Sequence, residues 1–310
     1  MISFIATIYN ESDSIKLFLN SLLSQSMQPD EIVIVDAGSE DNTVGVVKSI
    51  LNEGKIPWKV FQKKGNRSIG RNEAVKRATG NIIVASDAGC ILNKNWLKNI
   101  TYPFKDKSIS VVAGYYLPKT NSVFEKCLAA YTCVMPDKLN KVNYLPSSRS
   151  VAFRKSAWKK VGGYPEELDT CEDLVFARNL KKSGLRFYVE DKSIVYWPQR
   201  KNLHEAFRQF YGYAKGDGQA RYIRPQTPLL FGRYLVGLFL AVGGLIFHID
   251  QMYISLLVLL LLYLLWVIQK NYRYVRVSEA LFWLPILQIT SDIAVMKGTF
   301  TGCLSKFTEE

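Results

Sequence analysis

Two aspartates stand directly after apolar segments with the character of buried strands. Asp36 follows EIVIV, Asp87 follows NIIVAS, and small or turn-forming residues come next in both cases. In open parallel sheets, ligands bind at the carboxyl ends of the strands. A carboxylate there accepts hydrogen bonds from a base or ribose, or ligates a hard cation. Turn initiation explains either aspartate alone, whereas the equivalent positions of the pair favour a site.

The segment GNRSIGRNEA, residues 65–74, has the glycine spacing of a phosphate-binding P-loop. Arg71-Asn72 stands where a P-loop has Lys-Ser or Lys-Thr, which argues against that motif. The first strand is followed by no G-x-G-x-x-G, which argues against a dinucleotide dehydrogenase. Arg67 and Arg71 lie near a predicted helix N-terminus, where phosphate binds favourably. Taken alone, these arginines are better explained as solvated surface charge.

Apolar periodicity in the front half predicts alternating strands and helices. Ile15, Phe18 and Leu22, for example, share one helical face. This β-α-β-α order predicts an α/β fold with a mostly parallel sheet and helices on both faces. We predict strands at 2–7, 31–36, 59–62 and 81–86, and helices at 13–25, 41–52 and 71–78.

Two apolar segments near the carboxyl terminus are long enough to cross a membrane. Residues 229–248 contain one charge, Arg233, and residues 252–268 contain none. At about 1.5 Å per helical residue, each crosses most of a ~30 Å hydrocarbon core. A third segment, 280–296, contains Pro285 and Asp292 and is compatible with a span, a re-entrant segment or an interfacial helix.

Charge and cysteine usage indicate the compartment. The turn between the two spans lacks Lys and Arg, whereas basic residues lie before the first span and after the second, at 221, 224, 270, 273 and 276. The positive-inside rule therefore predicts an integral cell-membrane protein with a cytoplasmic front domain. The five cysteines include no C-x-x-C pair, which indicates a reducing compartment.

The chain is basic, with a formal net charge of +13. Nucleic acid, anionic lipid and phosphorylated substrates all suit such a protein. The sequence contains no nucleic-acid-binding motif, and the basic residues beside the apolar segments favour lipid and phosphorylated substrates.

Five motifs occur in the order found in family 2 glycosyltransferases with a GT-A fold. They are ATIYNES, IVIVDAGSEDNT, GRNEAVKRATGNIIVASDAG, GGYPEELDTCED and RQFYGYAKGDG. Each motif alone is a weak signal, whereas the ordered set followed by membrane spans resembles that family closely. The resemblance implies a Rossmann-like GT-A catalytic domain at 1–220, a basic linker at 221–228 and a membrane anchor at 229–310.

The resemblance also implies a nucleotide-binding pocket. The first loop lines that pocket in the family, and here it contains Thr7, Tyr9, Asn10 and Glu11. Asp36 matches the acid that recognises the base, which is usually uracil. The predicted donor is therefore a UDP-sugar, and GDP is also compatible.

A divalent metal and the donor phosphates are expected nearby. Arg71 and Asn72 match the family's element beside the donor, and Arg67 is a further candidate for phosphate contact. Asp87 matches the first acid of the D-x-D metal motif, whose second acid is replaced by Gly89. We expect Mg²⁺ or Mn²⁺ at Asp87, with diphosphate oxygens completing its coordination shell.

Glu172-Asp173 matches the family's ED motif, in which the aspartate is the catalytic base. An acceptor hydroxyl loses its proton as it attacks the anomeric carbon, and a positioned carboxylate accepts that proton. Thr170-x-x-Asp173 also has the spacing of a helix capping box. The spacing alone favours the cap, whereas the resemblance favours Asp173 as the base.

Two further segments correspond to family elements. Arg149 follows Pro146 in a region that faces the sugar in the family, where phosphate contact and surface charge are equal alternatives. Residues 208–218 take the place of the Q-x-x-R-W element without its Arg-Trp pair, so processive synthesis is not supported. That segment is expected to form a loop over the donor or an amphipathic segment on anionic lipid.

The sequence therefore predicts an inverting glycosyltransferase with a lipid-linked acceptor at the cytoplasmic membrane face. The alternatives are a catalytically silent, membrane-tethered module that binds nucleotide sugars, and a processive polysaccharide synthase. The missing second acid of D-x-D supports the silent module, and the retained Asp36, Asp87 and Asp173 argue against it.

Overall fold

The computed structural model describes residues 1–307, with side chains to Ser305. Clustering of contacts gives two compact units, one of Met1–Lys119 with Cys133–Pro198 and one of Thr120–Thr132 with the chain from Gln199 onward. The elements of the first unit are β1 (Ile2–Ile8), α1 (Ile15–Leu23), β2 (Glu31–Asp36), α2 (Thr43–Asn52), β3 (Trp58–Gln62), α3 (Arg67–Arg77), β4 (Ile82–Ala85), β5 (Ile91–Leu92), α4 (Trp96–Thr101) and β6 (Ile109–Lys119).

After β6 the chain enters the second unit for one helix and then returns to the first. The remaining elements are α5 (Val123–Thr132), β7 (Val151–Arg154), α6 (Lys155–Lys160), α7 (Glu172–Lys182), β8 (Arg186–Pro198), α8 (Leu203–Gln219), α9 (Gln226–Phe247), α10 (Asp250–Asn271) and α11 (Ala280–Phe307). Short 3-10 helices lie at Tyr102–Lys105, Pro136–Lys138 and Tyr272–Tyr274.

The first unit is built on an eight-stranded sheet of order β3-β2-β1-β4-β7-β6-β8-β5. The predicted parallel arrangement holds across β3, β2, β1 and β4. Beyond β4 the sheet is mixed, because β7 runs antiparallel to both of its neighbours while β6 and β8 are parallel. The parallel half aligns the carboxyl ends of β1, β2 and β4 on one edge.

Both faces of the parallel half are buried. Phe4 packs in one apolar cluster with Phe18 and Trp96, whereas its neighbour Ile5 packs in the opposite cluster with Phe153. Successive side chains of a strand point to opposite faces, so a strand covered on both sides needs a nearly continuous apolar run. This requirement explains the sequences ISFIATI and EIVIVD.

Four helix starts differ from the predictions, since α1 and α2 each begin two residues later than predicted and α3 and α7 also differ. The helix predicted from residue 71 begins at Arg67, because the Asn66 side chain accepts a hydrogen bond from the Ile69 backbone N–H at 3.1 Å and caps it there. For the helix with the capping-box spacing at Thr170, the N-cap is Cys171, in a left-handed conformation at φ 68°. The helix therefore begins one residue later, at Glu172.

The second unit is helical, and three of its helices are long and apolar enough to cross a membrane. They are Gln226–Phe247, Asp250–Tyr274 and Ala280–Ser305 among the described residues. The uncertain segment 280–296 thus forms the first part of a continuous helix that includes Pro285. Of the two alternatives for residues 208–218, the loop is wrong, because these residues form most of the helix α8, which packs along α11.

Two glycines on α11 allow its close approach to α8. A Cβ on Gly298 would lie 2.5 Å from the Tyr211 carbonyl oxygen, and one on Gly302 would lie 2.1 Å from that of Lys215. Small residues four apart let the backbones of membrane helices pack closely. These two glycines therefore set the separation of the two helices.

Replacement of Gly302 by alanine tests this packing. We expect Gly302→Ala to lower the free energy of unfolding of the helical unit by about 1–3 kcal/mol, because the added methyl group overpacks a backbone contact. Thermal unfolding in detergent, followed by circular dichroism, measures the change. Gly232→Ala on α9 is the matched control, since a Cβ there meets no atom within 4 Å. Equal loss in both variants would contradict the assignment.

Candidate functional site

Asp36 lies at the carboxyl end of β2 and is buried. Its carboxylate accepts hydrogen bonds from the backbone N–H groups of Gly38 and Ser39, at 3.2 and 3.1 Å, and from Ser39 Oγ at 2.6 Å. Gly38 has φ +101°, a conformation that side chains disfavour. Asp36 therefore shapes the loop that follows its strand.

The loop after β1 is tied to the loop after β2. The Asn10 backbone N–H donates to Ser39 Oγ at 3.0 Å, and Asn10 Oδ1 accepts from the Glu40 N–H at 2.9 Å. The Glu11 N–H donates to Thr43 Oγ1 at 2.7 Å. Asn10 has φ 51°, which asparagine tolerates better than most residues. The two loops form one hydrogen-bonded rim at the edge of the sheet.

The structure brings the predicted nucleotide-pocket residues together at this rim. Thr7 lies against α3 at Gly70, where a Cβ would be 2.6 Å from the Thr7 methyl group. The Tyr9 side chain is 55% exposed and is available to a ligand. With Asn10 and Glu11 anchored as described, the four residues within 7–11 and Asp36 border the same edge.

Arg71 is a deeply buried charge of the site, with 4% of its side chain exposed. Its Nη2 donates to Asp87 Oδ1 at 2.7 Å, and its Nη1 donates to Glu172 Oε1 at 2.6 Å. Burial alone would lower the pKa of Arg71, but the two carboxylates raise it above its ordinary value. Surface charge is therefore the wrong explanation for Arg71, which joins the end of β4 to the start of α7.

Asp87 is surrounded by cations. Burial would raise the pKa of this carboxyl, but Arg71, Arg149 and Arg67 together hold it below its ordinary value. Arg67 is exposed at the first position of α3. The guanidinium of Arg149 lies 3.9 Å from the centroid of the Trp197 ring. The result is an ionised carboxylate, one third exposed, inside a basic environment suited to a diphosphate.

Asn72 holds the loop that leads to α7. Its Nδ2 donates to the Tyr164 carbonyl and to Glu166 Oε1, both at 2.8 Å, and its Oδ1 accepts from the Tyr164 N–H at 2.8 Å and from Trp158 Nε1 at 3.0 Å. The amide group is therefore used inside the protein, and direct contact of Asn72 with the donor stays a prediction. Asn66 Nδ2 donates to the Glu166 carbonyl of the same loop at 2.7 Å.

The two acids at the start of α7 have different environments. Glu172 is buried against Arg71, and burial raises its pKa despite that arginine. Asp173 is partly exposed, and its Oδ1 accepts a hydrogen bond from the Leu174 N–H at 2.8 Å. Asp173 therefore presents the accessible carboxylate, while Glu172 fixes the helix in place. This arrangement suits a general base on a rigid mount.

Asp87 offers one position to a hard cation. Among residues 1–307, no cluster of three His, Cys, Asp or Glu side chains forms a metal site. Gly89 occupies the position of the second D-x-D acid, and a Cβ there meets no atom within 4 Å. The partly exposed carboxylate of Asp87 fits a single protein ligand to Mg²⁺ or Mn²⁺, provided that ligand or water oxygens fill the other positions.

Tyr144 is a candidate site residue, since the charges of Arg149 and Asp173 both act on its hydroxyl, and the sequence patterns do not reveal it. Its ring packs edge-on against Tyr115, with 6.2 Å between centroids, and its buried hydroxyl has no hydrogen-bond partner within the described part of the chain. It lines a cavity of about 440 Å³ with Phe187, Tyr188 and Lys181. The position of Tyr144 just before the Pro146–Arg149 segment was the only sequence signal.

Comparisons with known proteins agree with this geometry. Residues 3–145 match the family model for glycosyl transferase family 2. The O-antigen chain rhamnosyltransferase RfbN of Salmonella typhimurium is 23% identical over 223 residues, covering 68% of this chain and 70% of the relative. The poly-β-1,6-N-acetyl-D-glucosamine synthase of Staphylococcus aureus is 24% identical over 224 residues, covering 69% of this chain and 54% of the synthase. This chain thus matches about half the length of the synthase.

Solved structures show the same fold. The mannosyltransferase PcManGT from Pyrobaculum calidifontis, in complex with GDP-Man and Mn²⁺, has a TM-score of 0.60 and 17% identity, covering 95% of this chain and 86% of that one. TarS 1–349 of S. aureus, in complex with UDP-GlcNAc, has a TM-score of 0.51 and 20% identity, covering 100% and 92%. The family match over residues 3–145, the relatives and the shared GT-A fold together support a family 2 glycosyltransferase.

Proposed function

We propose that the protein transfers a sugar from a nucleotide-diphosphate sugar to a lipid-linked acceptor, with inversion at the anomeric carbon. One observation carries the proposal. Arg71 joins Asp87, at the strand end expected to face the diphosphate, to Glu172, the neighbour of the accessible Asp173. A phosphate-binding region and a candidate base are thereby held together by a single buried side chain.

The nucleotide is proposed to lie along the rim formed by the loops after β1 and β2. In this position the carboxylate of Asp36 recognises the base, while Thr7, Tyr9, Asn10 and Glu11 border the nucleoside. A UDP-sugar is the favoured donor, and GDP is the alternative. Related folds hold both nucleotides, since TarS is in complex with UDP-GlcNAc and PcManGT with GDP-Man.

The proposed chemistry is a single displacement. An acceptor hydroxyl attacks the anomeric carbon, Asp173 takes its proton, and the bond from that carbon to the diphosphate oxygen breaks. The bonding electrons leave with the nucleotide diphosphate, whose negative charge Arg67 and Arg149 stabilise. A divalent cation at Asp87 supplies further charge compensation when it is bound. Arg71 and Asn72 position these groups through the contacts described.

The helical unit supports a proposal for the acceptor and the membrane face. Three described helices are long and apolar enough to span a bilayer, and basic residues flank the first two. We propose that the catalytic unit is cytoplasmic and that the acceptor is a lipid-linked or membrane-proximal glycan. The relatives named for O-antigen and poly-N-acetylglucosamine synthesis support a cell-envelope product.

A catalytically silent module that binds nucleotide sugars is the second candidate. Gly89 favours it, because the second metal-binding acid of the family motif is missing. The paired Arg71 and the accessible Asp173 favour the enzyme. Donor turnover by purified protein distinguishes the two candidates.

Replacement of the proposed catalytic base, Asp173, tests the proposed mechanism. We expect Asp173→Asn to lower the turnover number by a factor on the order of 10² to 10⁴, because an amide cannot accept the proton. Donor affinity should stay near that of the wild type. Nucleotide release with membrane-lipid acceptor and donor titration calorimetry measure the two quantities.

Asp30→Asn is the control for this substitution. Asp30 is an exposed carboxylate that accepts a hydrogen bond from the Ile2 N–H at 2.6 Å, at the amino end of β1 and thus opposite the proposed site. We expect this variant to keep wild-type turnover. Unchanged turnover in Asp173→Asn would contradict the proposal, as would equal losses in both variants.

Restoring the second acid tests the metal position. Gly89→Asp should lower the Mn²⁺ concentration needed for half-maximal turnover by a factor on the order of 10, because it adds a carboxylate ligand beside Asp87. The open space at Gly89 accommodates the side chain. Gly89→Asn adds the same volume without charge and is the control. Equal metal requirements in the two variants, or full activity in EDTA, would contradict a cation at Asp87.

A further inference from the structure

The helical unit contains a cavity of about 540 Å³ that the proposed reaction does not use. It is lined by the start of α9, the end of α10 and the middle of α11, together with α8. Its size is within the range of sites for small molecules, which is roughly 300–1,000 Å³. Ionisable residues inside membrane segments are costly and mark functional sites by default.

Asp292 of α11 anchors the polar side of this cavity, and only 3% of it is exposed. Its Oδ2 accepts from Arg233 Nη2 at 3.0 Å and from the hydroxyls of Tyr234 and Tyr263, while its Oδ1 accepts from Gln288 Nε2 at 2.8 Å. The carboxylate is therefore fully paired. It neutralises Arg233 and has little capacity left to accept bonds from a ligand.

The remaining polar lining consists mainly of hydrogen-bond donors. The buried Nε of Arg233 has no hydrogen-bond partner among the side chains that the structure describes. The carboxylate of Asp217 accepts two hydrogen bonds from Arg224, at 2.5 and 3.2 Å. Three cationic side chains and two carboxylates line the cavity, which gives its lining one net positive charge. A site of this kind favours an anion.

The other wall of the cavity is apolar. Leu229, Leu230 and Val295 line it, and Phe210 and Trp266 add aromatic surface. Arg233 lies seven residues after the start of α9, or roughly 10 Å along its axis. Lys270 is one residue before the end of α10. The charged groups thus lie near one end of the α9–α10 hairpin, at a depth suited to a lipid headgroup.

We propose that this cavity binds the phosphate of a membrane lipid, with the first segment of the hydrocarbon chain along the apolar wall. This proposal rests on the proposed function in one respect, because the bound phosphate is taken to be that of the lipid that carries the acceptor glycan. A polyprenyl phosphate and an ordinary phospholipid share this chemistry. The donor groups of Arg233, Arg224 and Lys270 recognise the phosphate, and the apolar wall excludes free inorganic phosphate.

The test is direct binding to the full chain in a neutral detergent, without donor. Binding is followed by native mass spectrometry and by intrinsic tryptophan fluorescence, to which Trp266 in the cavity wall contributes. The ligands tested are a polyprenyl monophosphate, uncharged polyprenol, phosphatidylglycerol and inorganic phosphate. We expect the polyprenyl monophosphate to bind and the uncharged polyprenol and inorganic phosphate not to bind. Tight binding of phosphatidylglycerol in place of the polyprenyl phosphate would support the cavity and assign its ligand to bulk phospholipid. Equal binding of polyprenol would overturn the proposal.

Variants locate the bound lipid. Lys270→Gln should weaken binding by roughly fivefold, since one charge near the membrane surface is lost. The double variant Arg233→Gln/Asp292→Asn removes the buried pair without leaving an unpaired charge, and it should weaken binding further while thermal unfolding shows that it is folded. Arg273→Gln, an exposed basic residue outside the cavity, is the control. Equal affinity in the control and in both cavity variants would overturn the proposal.

Hydrolysis of the nucleotide-sugar donor, measured in the absence of lipid, separates this inference from the proposed function. If lipid binds but no nucleotide sugar is turned over, the lipid-binding proposal is supported and the proposed enzyme activity is contradicted. If nucleotide sugar is turned over but lipid binding does not depend on the phosphate, the lipid-binding proposal is contradicted and the proposed enzyme activity is supported.

Discussion

The catalytic unit depends on the double ion pair of Arg71. This side chain is buried and joins two carboxylates that are far apart in sequence, Asp87 at the end of β4 and Glu172 at the start of α7. Removal of one partner from a buried pair costs about 3–5 kcal/mol, because the other charge remains uncompensated. The arrangement thus fixes the helix that carries Asp173 relative to the strand end that carries Asp87. Under the proposed roles, the guanidinium of Arg71 sets the distance between the nucleotide-diphosphate leaving group and the catalytic base Asp173.

Two asparagines of α3 reinforce this constraint from the same helix. Asn66 caps α3 and binds the loop near Glu166, and Asn72 holds Tyr164, Glu166 and Trp158 through four hydrogen bonds. The segment from residue 66 to 72 therefore organises the approach to α7 as well as Asp87. The helical unit uses a comparable device, since Arg233 and Asp292 pair inside a set of apolar helices. In both units an arginine, buried at Arg71 and partly exposed at Arg233, connects elements whose positions matter for the proposed ligand.

Much of the fold was predictable because it depends on local patterns. The runs at β1, β2 and β4 are apolar because both faces are covered, and Asp36 and Asp87 stand at their predicted ends. The three apolar helices follow from composition. Local sequence does not reveal the burial of Arg71, since it depends on Glu172, 101 residues away. The start of α7 was missed because Cys171 adopts a left-handed conformation that the capping pattern does not indicate. The sequence left residues 208–218 open between a loop and an amphipathic segment, because the packing of α8 against α11 is not visible in a local pattern.

A structure of the protein with Mn²⁺ and a non-transferable UDP-sugar tests the central claim most directly. The account predicts that the nucleotide base lies beside Asp36 and the diphosphate beside Asp87 and Arg149. The anomeric carbon should face Asp173, and the two ion pairs of Arg71 should be intact. Nucleotide bound away from the carboxyl ends of β1, β2 and β4, or a sugar that faces away from Asp173, would contradict it.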